Sequence, residues 1–167
     1  DEATQNRLVI KTLSIDVQDD LKAVEQFHLE EWVSKRLKHE NLLQCYPHKG
    51  SKKFLFQSYE YLQGESLNRW LHRHKTALTL QQLLPIIEQV AKALNAMHRL
   101  EMLHQDVRPE NVMLLEPADA LKVKLIDYGS TAVRGLVELN PKHADVPLGT
   151  LAFMAPEYFI GHSPSVK

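Results

Sequence analysis

The segment His104-Gln105-Asp106-Val107-Arg108-Pro109-Glu110-Asn111, with Asp127-Tyr128-Gly129 downstream, constrains this chain more than any other feature. Pro109 lacks an amide hydrogen and has a fixed φ, which keeps the segment out of regular helix. Asp106 and Asn111 are five apart on that braced loop. Two short polar side chains so placed can converge on one point. Asp127 follows the run Val123 to Ile126 and precedes a glycine, which sets it at a strand's exit. A carboxylate and an amide that meet a second carboxylate make an all-oxygen site suited to Mg²⁺. Asp106 is then left to orient a hydroxyl and accept its proton, an arrangement that serves phosphoryl transfer.

The eight residues from His104 resemble the protein-kinase catalytic loop H-R-D-L-K-P-E-N, and Asp127-Tyr128-Gly129 resembles D-F-G. Gly149-Thr150, followed by Ala155-Pro156-Glu157, resembles the end of a kinase activation segment. Three motifs in the right order and spacing form a specific signal, whereas a lone His-x-Asp arises by chance in any long chain. The competing reading takes them as turn residues. The fold class the resemblance implies is α+β, a truncated protein-kinase-like two-lobed fold. Residues 1–62 would be part of the small lobe and residues 63–167 part of the large lobe.

A length of 167 residues with 44% hydrophobic and 25% charged residues suits one soluble domain with a sizeable core. The net charge of −1 gives no hint of nucleic-acid or anionic-membrane binding. A single cysteine, Cys45, excludes an intrachain disulfide framework and fits a reducing compartment, so a cytoplasmic location is expected. No apolar run approaches the ~18 residues of a membrane span. The polar start, Asp1 to Arg7, is unlike a signal peptide. The six glycines, Gly50, Gly64, Gly129, Gly135, Gly149 and Gly161, make no G-x-G-x-x-G. In the family that loop precedes the lysine-bearing strand, so the chain is read as the middle of a kinase domain, cut at both ends.

Arg7 to Leu13 has strand character and resembles the V-A-I-K strand of the small lobe, which would bring Lys11 to the α- and β-phosphates of ATP. Val9 takes the place of the alanine over adenine. On its own, a lysine in a strand is usually just solvated. Asp19 and Asp20 are good helix starters, and Leu21, Val24, Phe27, Val33 and Leu37 recur at helical spacing up to Lys38. Counting back from His39-Glu40-Asn41-Leu42-Leu43, which resembles H-P-N-I-V, makes Glu30 the partner of the strand lysine. Its neighbour Glu31 is the alternative, and an ordinary exposed acid is the bland one. One turn later stands Ser34, where the family packs a larger apolar residue, so the helix's positioning is left open.

Leu42 to Tyr46 and Phe54 to Tyr59 read as strands joined by a polar turn, Pro47 to Lys53, whose lysines suit a solvated face. Glu60-Tyr61-Leu62-Gln63-Gly64-Glu65-Ser66-Leu67 resembles the hinge E-Y-V-x-G-x-S-L. It implies adenine contacts from the backbone of Glu60 and Leu62, with Tyr59 as gatekeeper. Ser66 can cap a short helix through Leu71. His72 and His74 make a poor metal pair without a third ligand, and solvated histidines are expected. Thr79 with Gln82 forms a capping box for a long helix to about Leu100, which Pro85 should kink or delay. Its buried stripe would be Leu83, Ile86, Ile87, Val90, Leu94 and Met97. Val112 to Leu115 and Leu121 to Ile126 read as a strand pair linked by Glu116 to Ala120. Met113 would be the floor under adenine.

The resemblance then implies the chemistry. ATP and Mg²⁺ are the cofactors, with Mn²⁺ as a substitute. Asp127 would bind the metal that bridges the β- and γ-phosphates, and Asn111 a second. Asp106 would orient the substrate hydroxyl, and Arg108 would offset phosphoryl charge where the family has lysine. Gln105 has no charge with which to read a phosphate, so phosphorylation of the activation segment, with hydroxyls Ser130, Thr131 and Thr150, should be dispensable. Arg108-Pro109-Glu110 and Gly149-Thr150 look like serine/threonine kinases, and a protein substrate is the expected partner. The wording of the motifs is similar to bacterial bifunctional proteins that join an upstream 2C-type phosphatase to a kinase. A pseudokinase scaffold, an aminoglycoside-kinase-type phosphotransferase and a nucleotide-binding interaction domain are the rival classes. The fragment alone is expected to have weak or no activity.

Overall fold

Two three-stranded antiparallel sheets lie on either side of the point where the chain passes from residue 60 to residue 64. The computed structural model describes residues 7–48, 54–74, 77–115, 121–135 and 150–160. The lysines of the turn at 49–53, the connection Glu116 to Ala120, Gly149, and the glycines Gly50 and Gly161 lie outside the described residues.

The first sheet orders its strands β1 (Leu8–Thr12), β3 (Phe56–Glu60) and β2 (Cys45–Tyr46). The expected strand from Leu42 shrinks to Cys45 and Tyr46. The reason is that the residues on either side of Leu42 bond the other sheet: Leu43 N donates to Leu125 O, and Leu125 N donates to Asn41 O. The next expected strand starts at Phe56 instead of Phe54, whose side chain is solvated. Between β1 and β2 runs α1 (Leu21–Arg36), started by Asp20, whose carboxylate accepts from Lys22 N at 2.9 Å. Phe27, Val33 and the C-cap Leu37 are buried, but Leu21 is exposed at the helix's first turn, so the expected stripe begins one turn later.

The second sheet orders β4 (Gly64–Ser66), β6 (Val112–Leu115) and β7 (Lys122–Leu125). Gly64 is required by approach rather than by turn geometry: a Cβ there would lie 2.1 Å from Leu114 O. Ser66 Oγ accepts from Arg69 N and starts α2, which continues to Arg73, past the expected Leu71. His72 and His74 each bond a carbonyl one turn back, and His74 also stacks on Trp70.

The long helix α3 (Leu80–His98) packs against β7. Gln82 Oε1 accepts from Thr79 N at 2.9 Å, one half of the capping box. The helix passes through Pro85 unbroken and without a delayed start, because a proline near the first turn forfeits only one amide bond. It ends at His98, short of Leu100. Ile86, Ala93 and Met97 are its fully buried residues. Ile87 is 56% exposed, a correction to the expected stripe, since one residue is about 100° round the helix from Ile86. Ala93 takes the inward place. Leu114, Val123 and Leu125 meet this helix in one core, each worth roughly 1.5–3 kcal/mol for a large aliphatic side chain. A last short pair joins β5 (Met102–Leu103) to β8 (Ala132–Val133), which returns the chain to the loop after α3.

Candidate functional site

Three residues far apart in sequence share one ion cluster. Lys11 Nζ lies 2.5 Å from Glu30 Oε1 and 3.3 Å from Asp127 Oδ1. Strand β1 supplies the lysine, α1 the glutamate, and the exit of β7 the aspartate. Glu31 is drawn off instead to Lys35, 2.9 Å away on its own helix. Burial pulls the Lys11 ammonium down, but the Glu30 and Asp127 carboxylates outweigh it and hold its pKa above the ordinary lysine value. Burial pushes the Glu30 carboxyl up, with Lys11 acting against that shift. Asp127 has φ 66°, in the left-handed region, and its Oδ1 also accepts from Gly129 N at 3.3 Å. Held strain of this kind is characteristic of sites where one side chain must be aimed. Gln26 of α1 donates to Gly129 O, a second tie between this helix and the turn.

Ser34 of α1 is buried beneath the first sheet. The hydroxyl of Tyr59 donates to Gln57 Oε1 and lies 3.5 Å from Ser34 Oγ. Gln57 Nε2 in turn donates to Phe27 O of α1 at 2.7 Å. A large tyrosine on β3 thus takes the space that a small serine leaves on α1. A polar chain, in place of apolar packing, ties helix to sheet. Burial keeps the Tyr59 phenol protonated, with a strongly raised pKa. Val9 is the register partner of Tyr59 on β1 and is 44% exposed, on the same strand face as Lys11.

The loop after β5 carries a second cluster. Asn111 Nδ2 donates to both Asp106 O and Asp106 Oδ2, each at 2.9 Å. Arg108 Nε lies 3.3 Å from Asp106 Oδ2. The other carboxylate oxygen, Oδ1, accepts from Thr150 N at 2.9 Å. Burial works to raise the Asp106 carboxyl, but the bonds from Thr150 and Asn111 and the Arg108 charge prevail and hold it below the usual aspartate value. A short 3₁₀ turn over Pro109–Asn111 shapes the loop, as the proline dictates. His104 braces it from below: its Nδ1 accepts from Asp106 N at 3.3 Å, while Nε2 faces Ile126 O at 3.1 Å. Burial depresses the His104 pKa, so the neutral ring serves both bonds. Ile126 N donates to Asn111 O at 2.9 Å, which sets the exit of β7, and hence Asp127, beside the loop.

The donor set fits a hard divalent cation. Both Nδ2 bonds of Asn111 go to Asp106, so its Oδ1 is the face of the amide left for a ligand. Asp127 adds a carboxylate whose side chain is 45% exposed. One carboxylate and one amide oxygen suit Mg²⁺ that draws its other ligands from phosphates and water. Among the described residues no group of three or more His, Cys, Asp or Glu gathers as an all-protein metal cage.

In the stretch expected to be a hinge, Glu60 closes β3, and its amide donates to Gln44 O at 3.0 Å, which leaves the backbone carbonyl for a ligand on that residue. Leu62 is half-buried in the irregular stretch that follows, and Met113 sits on β6 opposite Ser66 and Lys124. Sequence reasoning missed Lys124. It is buried, with Nζ 2.5 Å from Glu60 Oε1 and 3.1 Å from Leu42 O. Glu60 Oε1 also accepts from Gln44 N at 2.8 Å. One buried pair therefore joins the end of β3 to β7, the strand that leads to Asp127. The signal was present: a lysine between Val123 and Leu125 in a strand is out of place unless it has a partner. Gln105 was also read only by what it lacks. It has φ 62°, and its Nε2 donates to Tyr158 Oη at 3.3 Å.

The chain matches the protein kinase domain family over residues 1–166, and it belongs to that family. It is similar to the serine/threonine-protein kinase Pkn1 of Myxococcus xanthus, 27% identical over 157 residues, covering 93% of this chain and 22% of that protein. The serine/threonine-protein kinase PknA of Mycobacterium tuberculosis is 28% identical over 174 residues, covering 98% of this chain and 39% of PknA. Homeodomain-interacting protein kinase 2 of Mesocricetus auratus is 30% identical over 120 residues, 71% of this chain and 10% of that protein. The chain thus spans less than half the length of each of these relatives. Its described helices and sheets are those of the α+β kinase fold.

Proposed function

We propose that this chain carries the reaction centre of an ATP- and Mg²⁺-dependent kinase that transfers the γ-phosphate to serine or threonine hydroxyls of proteins. The observation that carries the proposal is the Lys11–Glu30–Asp127 cluster, which draws together a cation for phosphates and a carboxylate for the metal. Arg108-Pro109-Glu110 and the names of the bacterial relatives favour serine and threonine as acceptors. Residues 1–62 and 63–167 are taken as contributions to the two lobes, with the nucleotide between them. A cytoplasmic location, where ATP is supplied, and a phosphatase elsewhere in the same protein belong to this proposal.

Each residue then has a task. Lys11 neutralises the α- and β-phosphates, and Glu30 fixes the ammonium's direction. Val9 and Met113 enclose the adenine from two sides, Tyr59 closes its rear, and the Glu60 carbonyl and Leu62 backbone meet its edge. Asp127 and Asn111 Oδ1 hold Mg²⁺ or Mn²⁺, which when bound supplies positive charge to the transferred phosphoryl group. Asp106 orients the acceptor hydroxyl and takes its proton, help worth roughly 10²–10⁴ in rate. Its low pKa keeps it ionised and ready to accept. Arg108 places a guanidinium beside that carboxylate to offset charge on the phosphoryl oxygens.

Titration calorimetry with ATP tests the binding half of this account. Mg²⁺-dependent binding that falls at least tenfold in Lys11→Met supports it. Equal binding by the variant, or none by the wild type, removes it.

A further inference from the structure

A cavity of about 400 Å³ opens where the end of α1 meets the end of α3. No residue of the Lys11 or Asp106 clusters lines it. Ala96 and Leu100 form an apolar wall, with Leu37 and Leu42 buried behind. Leu100 is 47% exposed, an uncovered aliphatic side chain at the mouth. The rim carries Arg36, Lys38, Lys92 and Arg99, and none of the lining residues is acidic. Along the whole chain 20 Lys and Arg face 21 Asp and Glu, so this segregation is local.

The four cations are not equally available. Arg36 stacks on Trp32, 3.6 Å from the ring centre, and donates to Trp32 O. Lys92 pairs with Glu88 at 2.8 Å. Lys38 and Arg99 make no side-chain hydrogen bond or ion pair with any described residue. Both helices point their C-termini at the cavity, and those carbonyl dipoles oppose a small anion seated deep inside. Cations at helix ends are common for that reason, which accounts for Arg36 in the last turn of α1. The same rule covers Arg99, the C-cap of α3, but not an exposed leucine beside two cations that have no side-chain partner among the described residues. An extended ligand resolves the conflict, with its carboxylates at the rim and an apolar group against the wall.

We propose that this cavity docks an acidic protein segment, one apolar side chain resting on Ala96 and Leu100 and carboxylates meeting Lys38 and Arg99. The site shares no lining residue with the ion clusters and would recruit a substrate or regulator that carries such a segment.

The test is fluorescence anisotropy with a labelled peptide of Glu and Asp around one central Leu. Binding should weaken about tenfold in the Lys38→Glu, Arg99→Glu double variant, the equivalent of about 1.4 kcal/mol. A milder Lys38→Gln, Arg99→Gln pair, checked by circular dichroism, should show a loss in the same direction. Replacing the peptide's Leu by Ser should cost severalfold. Equal binding by wild-type and variant proteins overturns the proposal. So does equal binding of the Leu and Ser peptides, which would mean unspecific charge attraction, or displacement of the peptide by oligouridylate at lower concentration, which would assign the rim to RNA. Nucleotide affinity should be unchanged in every variant.

Discussion

Lys11 on β1 and Glu30 on α1 meet at 2.5 Å, and this contact fixes the helix against the sheet at the point where phosphates would lie. The carboxylate is almost wholly buried and the ammonium is not, so the pair points outward from the helix. Glu30→Gln keeps the volume and removes the charge that aims Lys11. Misplacing one group at a reaction centre costs on the order of 10²-fold. The expected outcome is that loss in kcat/KM for ATP, with little change in melting temperature. Steady-state kinetics with thermal melts would check it.

Ser34 and Tyr59 divide one space between them. Ser34→Leu would force a branched aliphatic chain against the Tyr59 hydroxyl, and overpacking of this kind costs typically 1–3 kcal/mol. Urea unfolding should register that loss. The double variant Ser34→Leu, Tyr59→Ala should recover part of it, because the second change returns the volume.

Glu60 and Lys124 form a largely buried pair at 2.5 Å. Lys124→Met strands the Glu60 carboxylate, and removing one partner of such a pair costs up to about 3–5 kcal/mol. Lys124→Met with Glu60→Gln should be far milder than the sum of the singles. Because the pair ties the end of β3 to the strand that leads to Asp127, the single variant should also raise the KM for ATP under the proposed function. A double-mutant cycle read by unfolding and by ATP titration would expose both effects.

His104 gives the protein an acid-side weakness. Burial depresses its folded pKa below the ordinary histidine value of about 6.5. The unfolded chain therefore binds more protons than the folded one below that pH. Stability from this group is present above about pH 6.5 and declines as pH falls toward the folded value. Protonated Nδ1 would face the Asp106 amide as a second donor, which loosens the loop. Unfolding free energy measured from pH 8 to pH 5 should fall in the wild type and flatten in His104→Phe, apart from the contribution of other carboxylates and histidines.

Much of this was legible in the residues. Asp20, the Thr79 and Gln82 pair, Ser66 and Pro109 each mark an element boundary by a local rule, and the structure places boundaries at those positions. Local rules fail where the third dimension decides. Leu42 and Leu43 look like strand residues, but the bonds of Asn41 and Leu43 to Leu125 hold this stretch to the other sheet, a partner no nearby residue reveals. Ile87 has the composition of a core position and the wrong angle. Lys124 was readable only as an oddity, since its partner Glu60 is 64 residues away. The candidate site residues were read through motif resemblance. Their geometry, including the Thr150 bond that occupies Asp106 Oδ1, was not.

Gln105 makes a neutral tie to Tyr158, at the end of the segment that the Thr150 amide also anchors. Phosphorylation of that segment is expected to be dispensable, so alanine at Ser130 or Thr131 should leave turnover within about threefold on the scale where tenfold is 1.4 kcal/mol. Gln105→Ala should raise the KM for a protein acceptor, since it frees Tyr158, while ATP affinity holds. Abolished turnover in a hydroxyl variant that stays folded and binds ATP would contradict this.

The central claim is that Asp106 and Asp127 serve phosphate transfer in two different capacities. The most direct measurement is Mg²⁺-dependent transfer of radiolabelled γ-phosphate from ATP to a generic protein acceptor by the full-length protein. Asp106→Asn and Asp127→Ala are the matched controls. The account predicts transfer to serine or threonine that both variants abolish, with ATP binding kept in Asp106→Asn and its metal dependence lost in Asp127→Ala. ATP binding with no transfer by the wild type, or transfer that survives either substitution, would contradict it.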